Sequence, residues 1–411
     1  MNLFEDLVWR GLVDNISHQE LIDELNKGEI TFYIGIDPSA DSLHIGHLCS
    51  LLTAKRLQLA GHKAIVIAGG GTGLIGDPKP NAERPMISIE EIKQNIDKIK
   101  IQMKEIIDCS IVNNYDWLSK FDIITFLRDY GKHFNINYML AKETIKRRLE
   151  VGITYTEFSY MLLQSVDYLE LYKRYNCRLQ IGGQDQWGNI TAGMDLINKL
   201  YQKANVYAYT IPLIVKADGS KFGKTEKGTV WLDKTKTTPY ELYQFFFNTE
   251  DDKVIEYLKK FTFLSKEEIE VLEEKVKENP ELREAQKRLA LELVTIIHGQ
   301  EASKEVIKIT EALFNDNITS LTEKEIKQAF KDVPSFIIEK PILLIDLLVL
   351  MKIASSKREA RELIFNNAIM INNQKEIDLS KEITKKDLLN ESFLIIRKGK
   401  KHYFLVKWKD M

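Results

Sequence analysis

The feature of the sequence that most constrains the fold is a buried strand, a helix and a second buried strand in direct succession. Short apolar runs predict the strands at residues 31–36 and 64–68, and the helix is predicted at residues 48–60 with Gly61 as its C-terminal cap. This order predicts a right-handed βαβ unit and hence a parallel sheet. Further strands are predicted at residues 179–181 and 210–215.

The second half of the chain has a different pattern and predicts two more domains. Residues 240–314 are rich in Glu, Lys and Leu with helical periodicity, whereas the chain from Ile342 on predicts a small α+β unit with Ser356 as a helix N-cap. The fold class is therefore α/β, with a Rossmann-like domain built on the parallel sheet. The predicted segments are residues 1–225 (Rossmann-like catalytic domain), 226–320 (α-helical domain), 321–341 (linker) and 342–411 (α+β domain).

The bulk composition excludes several classes of protein. With 411 residues, 44% hydrophobic and 29% charged, the chain fits a globular protein of two or three domains. A formal net charge of -2 means that any contact with nucleic acid must come from a local patch. The three cysteines form no CxxC pair, which predicts neither a metal site nor a disulfide framework and favours a reducing, cytoplasmic setting. The most apolar run, residues 341–351, is too short to span a membrane.

Two short motifs predict a phosphate site when they are taken together. His44-Ile-Gly-His47 lies between a predicted strand and a helix, whose N-terminus offers unpaired N–H groups that suit phosphate. Lys221-Phe-Gly-Lys224, followed by Thr225, is a cationic loop at the end of the parallel-sheet region. Either motif alone has an ordinary alternative, a pair of surface histidines or a solvated turn. Their combination is stronger evidence than either half.

A third motif, which is rich in glycine, has the sequence pattern of a dinucleotide-binding site but lies in the wrong structural context. Residues 71–76 read GxGxxG after a strand, and a dinucleotide site needs a helix that continues beyond the last glycine. Pro78 and Pro80 follow at once and cannot lie inside such a helix. A dehydrogenase is therefore not predicted.

Tyr160, Gln164 and Asp167 form a polar stripe on an otherwise apolar helical segment. Their spacing of i, i+4 and i+7 puts the three side chains on one helix face. Buried polar groups need hydrogen-bond partners. The stripe therefore indicates either a bound polar ligand or an internal hydrogen-bond network.

Four segments that carry these motifs resemble the bacterial-type tyrosyl-tRNA synthetases of class I. The segments are residues 33–47, 69–78, 158–167 and 180–189, and the resemblance extends over essentially the whole chain. It implies an aminoacyl-tRNA ligase of protein biosynthesis that activates L-tyrosine with ATP, releases pyrophosphate and transfers tyrosine to the 3′ end of tRNA(Tyr). Mg²⁺ is implied to accompany ATP through its phosphates, without a metal site built from protein side chains.

The resemblance also implies a role for individual residues. Tyr33 and Asp167 would bind the phenol hydroxyl of tyrosine. The other implied tyrosine-binding residues are Asp77, Tyr160 and Gln164, which would hold the α-ammonium group, and Gln186. The implied catalytic residues are His44, His47, Lys221, Lys224 and Thr225. The implied ATP-binding residues are Gly35, Asp37, Ser39, His44, Gly46, His47, Gly183, Asp185, Lys221 and Lys224.

The sequence departs from the family pattern at two places. Many bacterial relatives have a longer, lysine-rich loop where this chain has residues 79–84, so Lys79 and Arg84 are the candidates for its phosphate contacts. Ile34 stands where relatives often have a small polar residue, and one ribose contact is expected to be missing there.

The C-terminal domain resembles the S4 RNA-binding fold and is locally basic. Residues 392–409 contain six Lys or Arg and no acidic residue, a pattern that suits an RNA backbone. The alternative is a solvated basic tail. The family is homodimeric, and residues 152–158 resemble part of its subunit interface. The predicted RNA-binding residues are Lys357, Arg358, Arg361, Lys400 and Lys401.

Two other functions stay open at this point. One is another class I synthetase, of which the tryptophanyl enzyme is the nearest. The other is a non-catalytic RNA-binding protein that kept a synthetase scaffold. The intact histidines and lysines of the two phosphate motifs favour a catalytic protein.

Overall fold

The computed structural model of the chain contains two compact units. Unit 1 comprises Met1–Thr237 and Phe246–Ile297, and unit 2 comprises Thr238–Phe245 and His298–Met411. The division of the chain into three domains and a linker stays a prediction. The structure describes residues 1–79, 85–202, 204–215, 222–225, 228–399 and 402–409, of which residues 143, 144, 224 and 225 are described by their backbone alone.

Unit 1 is built on a six-stranded sheet in the order β1-β6-β5-β2-β3-β4. All neighbouring strands are parallel except the edge strand β1, which is antiparallel to β6. The predicted parallel sheet is confirmed. The strands of this unit are β1 (Asn15–Ile16), β2 (Thr31–Ile36), β3 (Lys63–Ala68), β4 (Ser110–Asn113), β5 (Leu179–Gly183), β6 (Tyr207–Ile211) and a small hairpin of β7 (Lys224–Thr225) and β8 (Gly228–Thr229).

Helices cover the sheet, and their apolar faces form the core of unit 1. The longest of those that precede residue 237 is α10, which packs against α11 beneath the sheet with Val166, Leu169 and Ile197 completely buried. The helices of this part are α1 (Leu3–Trp9), α2 (Glu20–Lys27), α3 (Ile45–Leu59), α4 (Thr72–Ile75), α5 (Ile89–Ile106), α6 (Tyr115–Leu118), α7 (Ile123–Thr125), α8 (Ile136–Leu140), α9 (Glu143–Val151), α10 (Tyr155–Tyr175) and α11 (Trp187–Leu200).

The structure corrects one predicted strand. Residues 210–215 were expected to be extended, but β6 runs from Tyr207 to Ile211. Pro212 explains the shift, because proline has no N–H group to donate to a neighbouring strand. The short helix α4 lies where the GxGxxG spelling occurs, and it ends at Gly76 before Pro78, as the proline argument predicted.

A helical region follows the sheet. It contains α12 (Pro239–Phe247), α13 (Asp251–Phe261), α14 (Lys266–Glu278) and α15 (Glu284–Phe314). Gly299 has a φ of 85° and interrupts α15 with a kink, close to the point where the chain leaves unit 1. In the described part of the chain, no helix is both long and apolar enough to cross a membrane.

Unit 2 contains a five-stranded sheet in the order β12-β11-β14-β15-β9. Residues 321–341, the predicted linker, hold both a helix and the edge strand β9, which pairs in parallel with β15. This segment therefore contributes to the fold of unit 2. The elements are α16 (Glu323–Ala329), β9 (Ser335–Ile338), β10 (Ile342–Leu343), α17 (Leu344–Leu350), α18 (Lys357–Phe365), β11 (Ile369–Ile371), β12 (Gln374–Lys375), β13 (Glu382–Ile383), β14 (Phe393–Lys398) and β15 (His402–Trp408).

Candidate active site

A cavity of about 380 Å³ lies at the carboxyl ends of β2 and β5. These strands are neighbours, but the chain leaves β2 towards β3 on one side and continues from β5 to β6 on the other. Loops that diverge in this way leave a crevice, which is the usual ligand site of an open parallel sheet. Thirteen predicted site residues line it: Tyr33, Gly35, Asp37, His44, Gly46, His47, Asp77, Tyr160, Gln164, Asp167, Gly183, Asp185 and Gln186.

The polar stripe of α10 forms one wall of this cavity. Tyr160, Gln164 and Asp167 all line it, and both Tyr160 and Asp167 are buried. The Tyr160 hydroxyl donates to Oδ2 of Asp37 at 2.8 Å, and Thr72 Oγ1 donates to Oδ1 of the same carboxylate at 2.8 Å. Asp37 therefore joins the end of β2 to the α10 stripe, so the stripe belongs partly to an internal network.

Asp167 lies at the closed end of the cavity and accepts two hydrogen bonds. Asn114 Nδ2 donates to Oδ2 at 2.8 Å and Trp117 Nε1 donates to Oδ1 at 2.7 Å. Burial raises the pKa of Asp167 to about 8, although these two N–H groups favour its carboxylate form. The carboxyl group is thus held in a fixed orientation, with its pKa close to neutral pH.

The same end of the cavity contains a hydroxyl group without a partner among the described residues. Tyr33 is 1% exposed, and its Oη is buried with no hydrogen bond from that part of the chain. Burial and the nearby Asp167 raise the pKa of Tyr33 well above its usual value. Gln164 Oε1 and Gln180 Oε1 are likewise buried without such a partner, and both residues line the cavity. Buried polar atoms of this kind indicate a ligand that completes their hydrogen bonds.

Asp77 occupies a second polar corner of the cavity. Gln186 Nε2 donates to Asp77 Oδ2 at 2.8 Å, and Asn189 Nδ2 donates to Oδ1 at 3.1 Å. Lys142 Nζ donates to Asn189 Oδ1 at 3.3 Å, and burial lowers the pKa of Lys142 to about 8 while Asp77 opposes that shift. A carboxylate in this setting offers a negative charge to a cationic group of a ligand.

The two histidines of the first motif form the N-terminus of α3. His44 is the N-cap: its Nδ1 accepts from the N–H of Gly46 at 3.0 Å, and its own N–H donates to Nδ1 of His47 at 3.2 Å. A Cβ at Gly46 would come within 2.7 Å of His44 Cε1, so a larger residue there would displace the His44 ring. Burial and the neighbouring His44 lower the pKa of His47 to about 3. His47 is therefore neutral at pH 7 and acts as a hydrogen-bonding group.

Comparison with known proteins agrees with this geometry. Residues 25–315 match the family model of class I tRNA synthetases (W and Y), and residues 325–406 match that of the tyrosine–tRNA ligase SYY-like C-terminal domain. The chain is 52% identical to the tyrosine–tRNA ligase of Geobacillus stearothermophilus, over 99% of this chain and 100% of that protein. It is 51% identical to tyrosine–tRNA ligase 1 of Bacillus subtilis over the same shares.

The chain belongs to the tyrosine–tRNA ligases of the class I tRNA synthetases. A solved structure with the same fold is the C-terminally truncated mitochondrial tyrosyl-tRNA synthetase of Aspergillus nidulans, with a TM-score of 0.68, 30% identity and coverage of 76% of this chain and 94% of that chain. The tryptophanyl-tRNA synthetase of Plasmodium falciparum shares the fold at a TM-score of 0.54 and 18% identity, covering 79% of this chain and 87% of that chain.

Some predicted site residues of this tyrosine–tRNA ligase family member do not line the cavity. Ser39 is exposed and is not among the lining residues. Lys79 is exposed, and its carbonyl oxygen accepts from Arg148 at 3.0 Å. Lys221 and Arg84 lie outside the described residues, as do the side chains of Lys224 and Thr225, whose backbone forms β7.

Phe222 fixes one side of the second phosphate motif. Its ring packs against Phe246, Tyr257 and Phe261, with ring centroids 6.2, 5.1 and 5.2 Å away. Tyr257 also donates from its hydroxyl to the carbonyl of Val215 at 3.2 Å. α13 therefore contacts the chain on both sides of residues 216–221.

The predicted RNA-binding residues of α18 lie on the surface of unit 2. Arg361 is exposed, while Lys357 pairs with Asp346 at 2.6 Å and Arg358 pairs with Glu362 at 3.1 Å. Part of the positive charge of this face is therefore already balanced by carboxylates. Lys400 and Lys401 lie outside the described residues.

Sequence reasoning missed several residues of the cavity network. Thr72, Asn114, Trp117 and Asn189 each donate to one of the cavity aspartates Asp37, Asp77 and Asp167. Asn114 and Trp117 are 53 and 50 positions from Asp167, so no local pattern could connect them. The available signal was their position just after β4, where the carboxyl end of a parallel strand meets the site.

Proposed function

We propose that the cavity binds L-tyrosine with its phenol at the closed end. The observation that carries this assignment is the pairing of the buried, unpartnered Tyr33 hydroxyl with the fixed carboxyl group of Asp167. A phenol hydroxyl between them would donate to Asp167 and accept from Tyr33. Phenylalanine would leave the Tyr33 hydroxyl buried and unpaired, which costs about 1–3 kcal/mol, and Asp167 would keep its bonds from Asn114 and Trp117 but lose the donor that the phenol supplies.

The α-ammonium group of tyrosine would bind near Tyr160, Gln164 and Asp77. An ammonium group has three N–H donors and no acceptor. Gln164 Oε1 is a buried oxygen with no partner among the described residues, and Tyr160 donates to Asp37, which leaves its oxygen free to accept. Asp77 supplies the opposite charge. Gln186 would contact the tyrosine from the same corner.

ATP would lie along the N-terminus of α3, next to the bound tyrosine. The tyrosine carboxylate attacks the α-phosphorus, a P–O bond to pyrophosphate breaks, and tyrosyl-adenylate forms. The attacking group is already ionised at pH 7, so this step needs no protein base, and positioning with charge stabilisation carries the catalysis. The residues with this role would be Gly35, Asp37, Ser39, His44, Gly46, His47, Gly183 and Asp185, with Lys221, Lys224 and Thr225 stabilising the leaving pyrophosphate.

Mg²⁺ would be bound through the phosphates of ATP. Two cavity carboxylates, Asp37 and Asp77, each already accept two hydrogen bonds from protein side chains. They are therefore poorly suited to surround a small cation with direct oxygen ligands, and Mg²⁺ commonly keeps its waters and binds through substrate phosphates. When it is bound, the ion neutralises phosphate charge.

The tRNA would contact unit 2 through the exposed face of α18. In the second step, a 3′-terminal ribose hydroxyl of tRNA(Tyr) would attack the tyrosyl carbonyl carbon of the adenylate and lose its proton, and the acyl–phosphate bond would break to release AMP. Lys357, Arg358 and Arg361 are exposed on this helix, and Lys400 and Lys401 are the predicted RNA-binding residues of a second basic cluster. A cytoplasmic location is part of this proposal.

The protein would act as a homodimer. Several large apolar side chains are exposed from α7 to the start of α10, and exposed apolar surface is a feature of subunit interfaces. Tyr155, within the segment predicted to contact a second subunit, is 69% exposed. The other exposed large apolar residues between α7 and α10 are Ile123, Ile124, Leu127, Ile136, Tyr138, Leu149 and Val151.

Pyrophosphate exchange with ATP and a single amino acid tests the substrate assignment. We expect exchange with tyrosine and none above background with phenylalanine or tryptophan. Tryptophan-dependent exchange would instead support the tryptophanyl alternative. A purified chain that forms no adenylate with either amino acid would support a non-catalytic RNA-binding protein.

A further inference from the structure

A fully buried ion pair lies beside the cavity and takes no part in the chemistry described above. Arg148, near the end of α9, and Glu157, in the first turn of α10, are 3% and 2% exposed in their side chains. Arg148 Nη2 lies 2.5 Å from Glu157 Oε2, and Nη1 lies 3.1 Å from Oε1. Burying two charges has a large desolvation cost, so such a pair is weak evidence for stability.

Two further hydrogen bonds of Arg148 connect this ion pair to other segments of unit 1. Nη1 also donates to the carbonyl oxygen of Lys79 at 3.0 Å, and Nε donates to the carbonyl oxygen of Gly152 at 3.2 Å. One planar guanidinium group therefore joins the chain after Asp77, the turn between α9 and α10, and the first turn of α10. Arginine suits this role because its donors lie in a fixed fork, whereas lysine offers one rotating ammonium group.

The bond to Lys79 fixes the backbone on the far side of Asp77. The Asp77 carboxylate is held from within the cavity by Gln186 and Asn189. Between Asp77 and Lys79 stands Pro78, whose ring restricts the backbone, so a shift of the Lys79 carbonyl would be transmitted to Asp77. Asp77 is thus fixed on two sides, by amide groups at its carboxylate and by Arg148 through the chain.

Glu157 provides the matching constraint on α10. It precedes Tyr160 by three residues and Gln164 by seven, so it lies on the same side of the helix as both. We propose that Arg148 is a positioning residue for the α-ammonium site. Its hydrogen bonds hold the backbone next to Asp77 in a fixed position relative to Tyr160 and Gln164 of α10. This inference rests on the proposed role of Asp77.

The end of the cavity proposed for the phenol is held in place by contacts other than those of Arg148. Asp167 lies ten residues beyond Glu157, which is about 15 Å along the helix axis, and its carboxyl group is oriented by Asn114 and Trp117. Loss of the Arg148 contacts should therefore weaken recognition of the ammonium group without changing recognition of the phenol.

The test compares two ligands that differ in the α-amino group alone. These are tyrosine and 3-(4-hydroxyphenyl)propionate. In pyrophosphate exchange, the KM reports the binding of tyrosine, and the inhibition constant reports the binding of the propionate. The variant is Arg148→Met with Glu157→Met, because removing one partner would leave a buried charge unpaired and the protein could fail to fold. We expect the KM for tyrosine to rise at least about 10-fold, or 1.4 kcal/mol, and the inhibition constant to change less than about 2-fold.

Two controls make every outcome decisive. Arg288→Gln with Glu292→Gln removes an exposed pair of unit 1 and should change neither constant. Asp77→Asn should weaken the binding of tyrosine and leave the binding of the propionate unchanged. Suppose that Asp77→Asn raises only the KM for tyrosine, as expected. If the double Met variant then weakens the binding of both ligands equally, or of neither, the positioning role of Arg148 is wrong and the role of Asp77 stands. If Asp77→Asn does not distinguish the ligands, the proposed role of Asp77 fails, and the inference about Arg148 fails with it.

Discussion

The two ends of the cavity are built in different ways. At the phenol end, Tyr33 and Asp167 are buried, and Asn114 and Trp117 hold the Asp167 carboxyl group in place. At the end proposed for the nucleotide, His44 is half-buried, and Gly46 and Asp185 are exposed. Selectivity for a small hydroxyl group needs a rigid, dry site in which a missing partner is costly, whereas a triphosphate needs an open approach and several weaker contacts. We therefore expect substitutions at the closed end to have the largest effects.

The largest effect is expected for Asp167→Ala. The change removes the proposed acceptor of the phenol hydroxyl and leaves the donors of Asn114 and Trp117 unpaired. We expect kcat/KM for tyrosine in pyrophosphate exchange to fall at least about 100-fold, or ~2.7 kcal/mol, with a much smaller change in the KM for ATP. Asp195→Ala, an exposed acid on α11, is the matched control and should leave both values unchanged. Normal tyrosine kinetics in Asp167→Ala would contradict the assignment of the phenol end.

A smaller effect, on activity and not on stability, is expected for Tyr33→Phe. Loss of one neutral hydrogen bond should lower kcat/KM for tyrosine about 10-fold. The free enzyme should not lose stability, because the Tyr33 hydroxyl has no partner among the described residues.

The matched control for Tyr33→Phe is Tyr209→Phe. The buried Tyr209 hydroxyl donates to the carbonyl of Leu12 at 2.8 Å. This variant should lose about 1 kcal/mol of unfolding free energy and keep the wild-type KM for tyrosine. Thermal unfolding and exchange kinetics measure both. A stability loss in Tyr33→Phe as large as that in Tyr209→Phe would show that the Tyr33 hydroxyl is already bonded in the free enzyme.

The pH dependence of stability tests the closed end without substrate. Burial raises the pKa of Asp167 from 3.8 to about 8, so between these values the folded protein keeps a proton that the unfolded chain has released. The contribution of Asp167 to the unfolding free energy is therefore fully present below pH 4 and is lost as pH rises towards 8, by at most about 1.4 kcal/mol per pH unit. Relative to wild type, Asp167→Asn should gain stability from pH 5 to pH 8. Parallel unfolding curves for the two proteins would refute the shift.

The smallest effect is expected at the open end, for His47→Gln. Because the pKa of His47 is about 3, the ring is neutral at pH 7, and glutamine can replace it as a neutral hydrogen-bonding group. We expect kcat of the exchange reaction to change by no more than about 3-fold, or ~0.6 kcal/mol, with the same pH profile between pH 6 and 8. A loss of 30-fold or more, or the disappearance of a pH step near 6.5, would mean that a charged His47 takes part.

The sequence predicted well those features that local patterns determine. The strands at residues 31–36 and 64–68 and the stripe of Tyr160, Gln164 and Asp167 follow from apolar runs and helical spacing, and the structure has the stripe on the cavity wall. The exclusion of a dinucleotide site followed from proline chemistry at Pro78. Each of these required no knowledge of contacts between distant residues.

Features that depend on distant contacts could not be predicted. Asn114 and Trp117 become part of the site only because β4 lies beside β3 in the sheet. The error in β6 came from an apolar run that continues through Pro212, where periodicity outweighed the missing N–H group. Residues 321–341 looked loosely patterned because a single short helix and an edge strand bury few side chains.

The hydrogen bond from Trp117 to Asp167 has an optical consequence. The indole is buried, and its N–H group points at a carboxyl group that changes charge close to pH 8 and that would receive the substrate phenol. The excited state of indole responds to nearby charge, so the emission of this one side chain would record both the proton and the arrival of the amino acid. Stopped-flow fluorescence could then follow occupancy of the closed end in real time, without a label and without waiting for product.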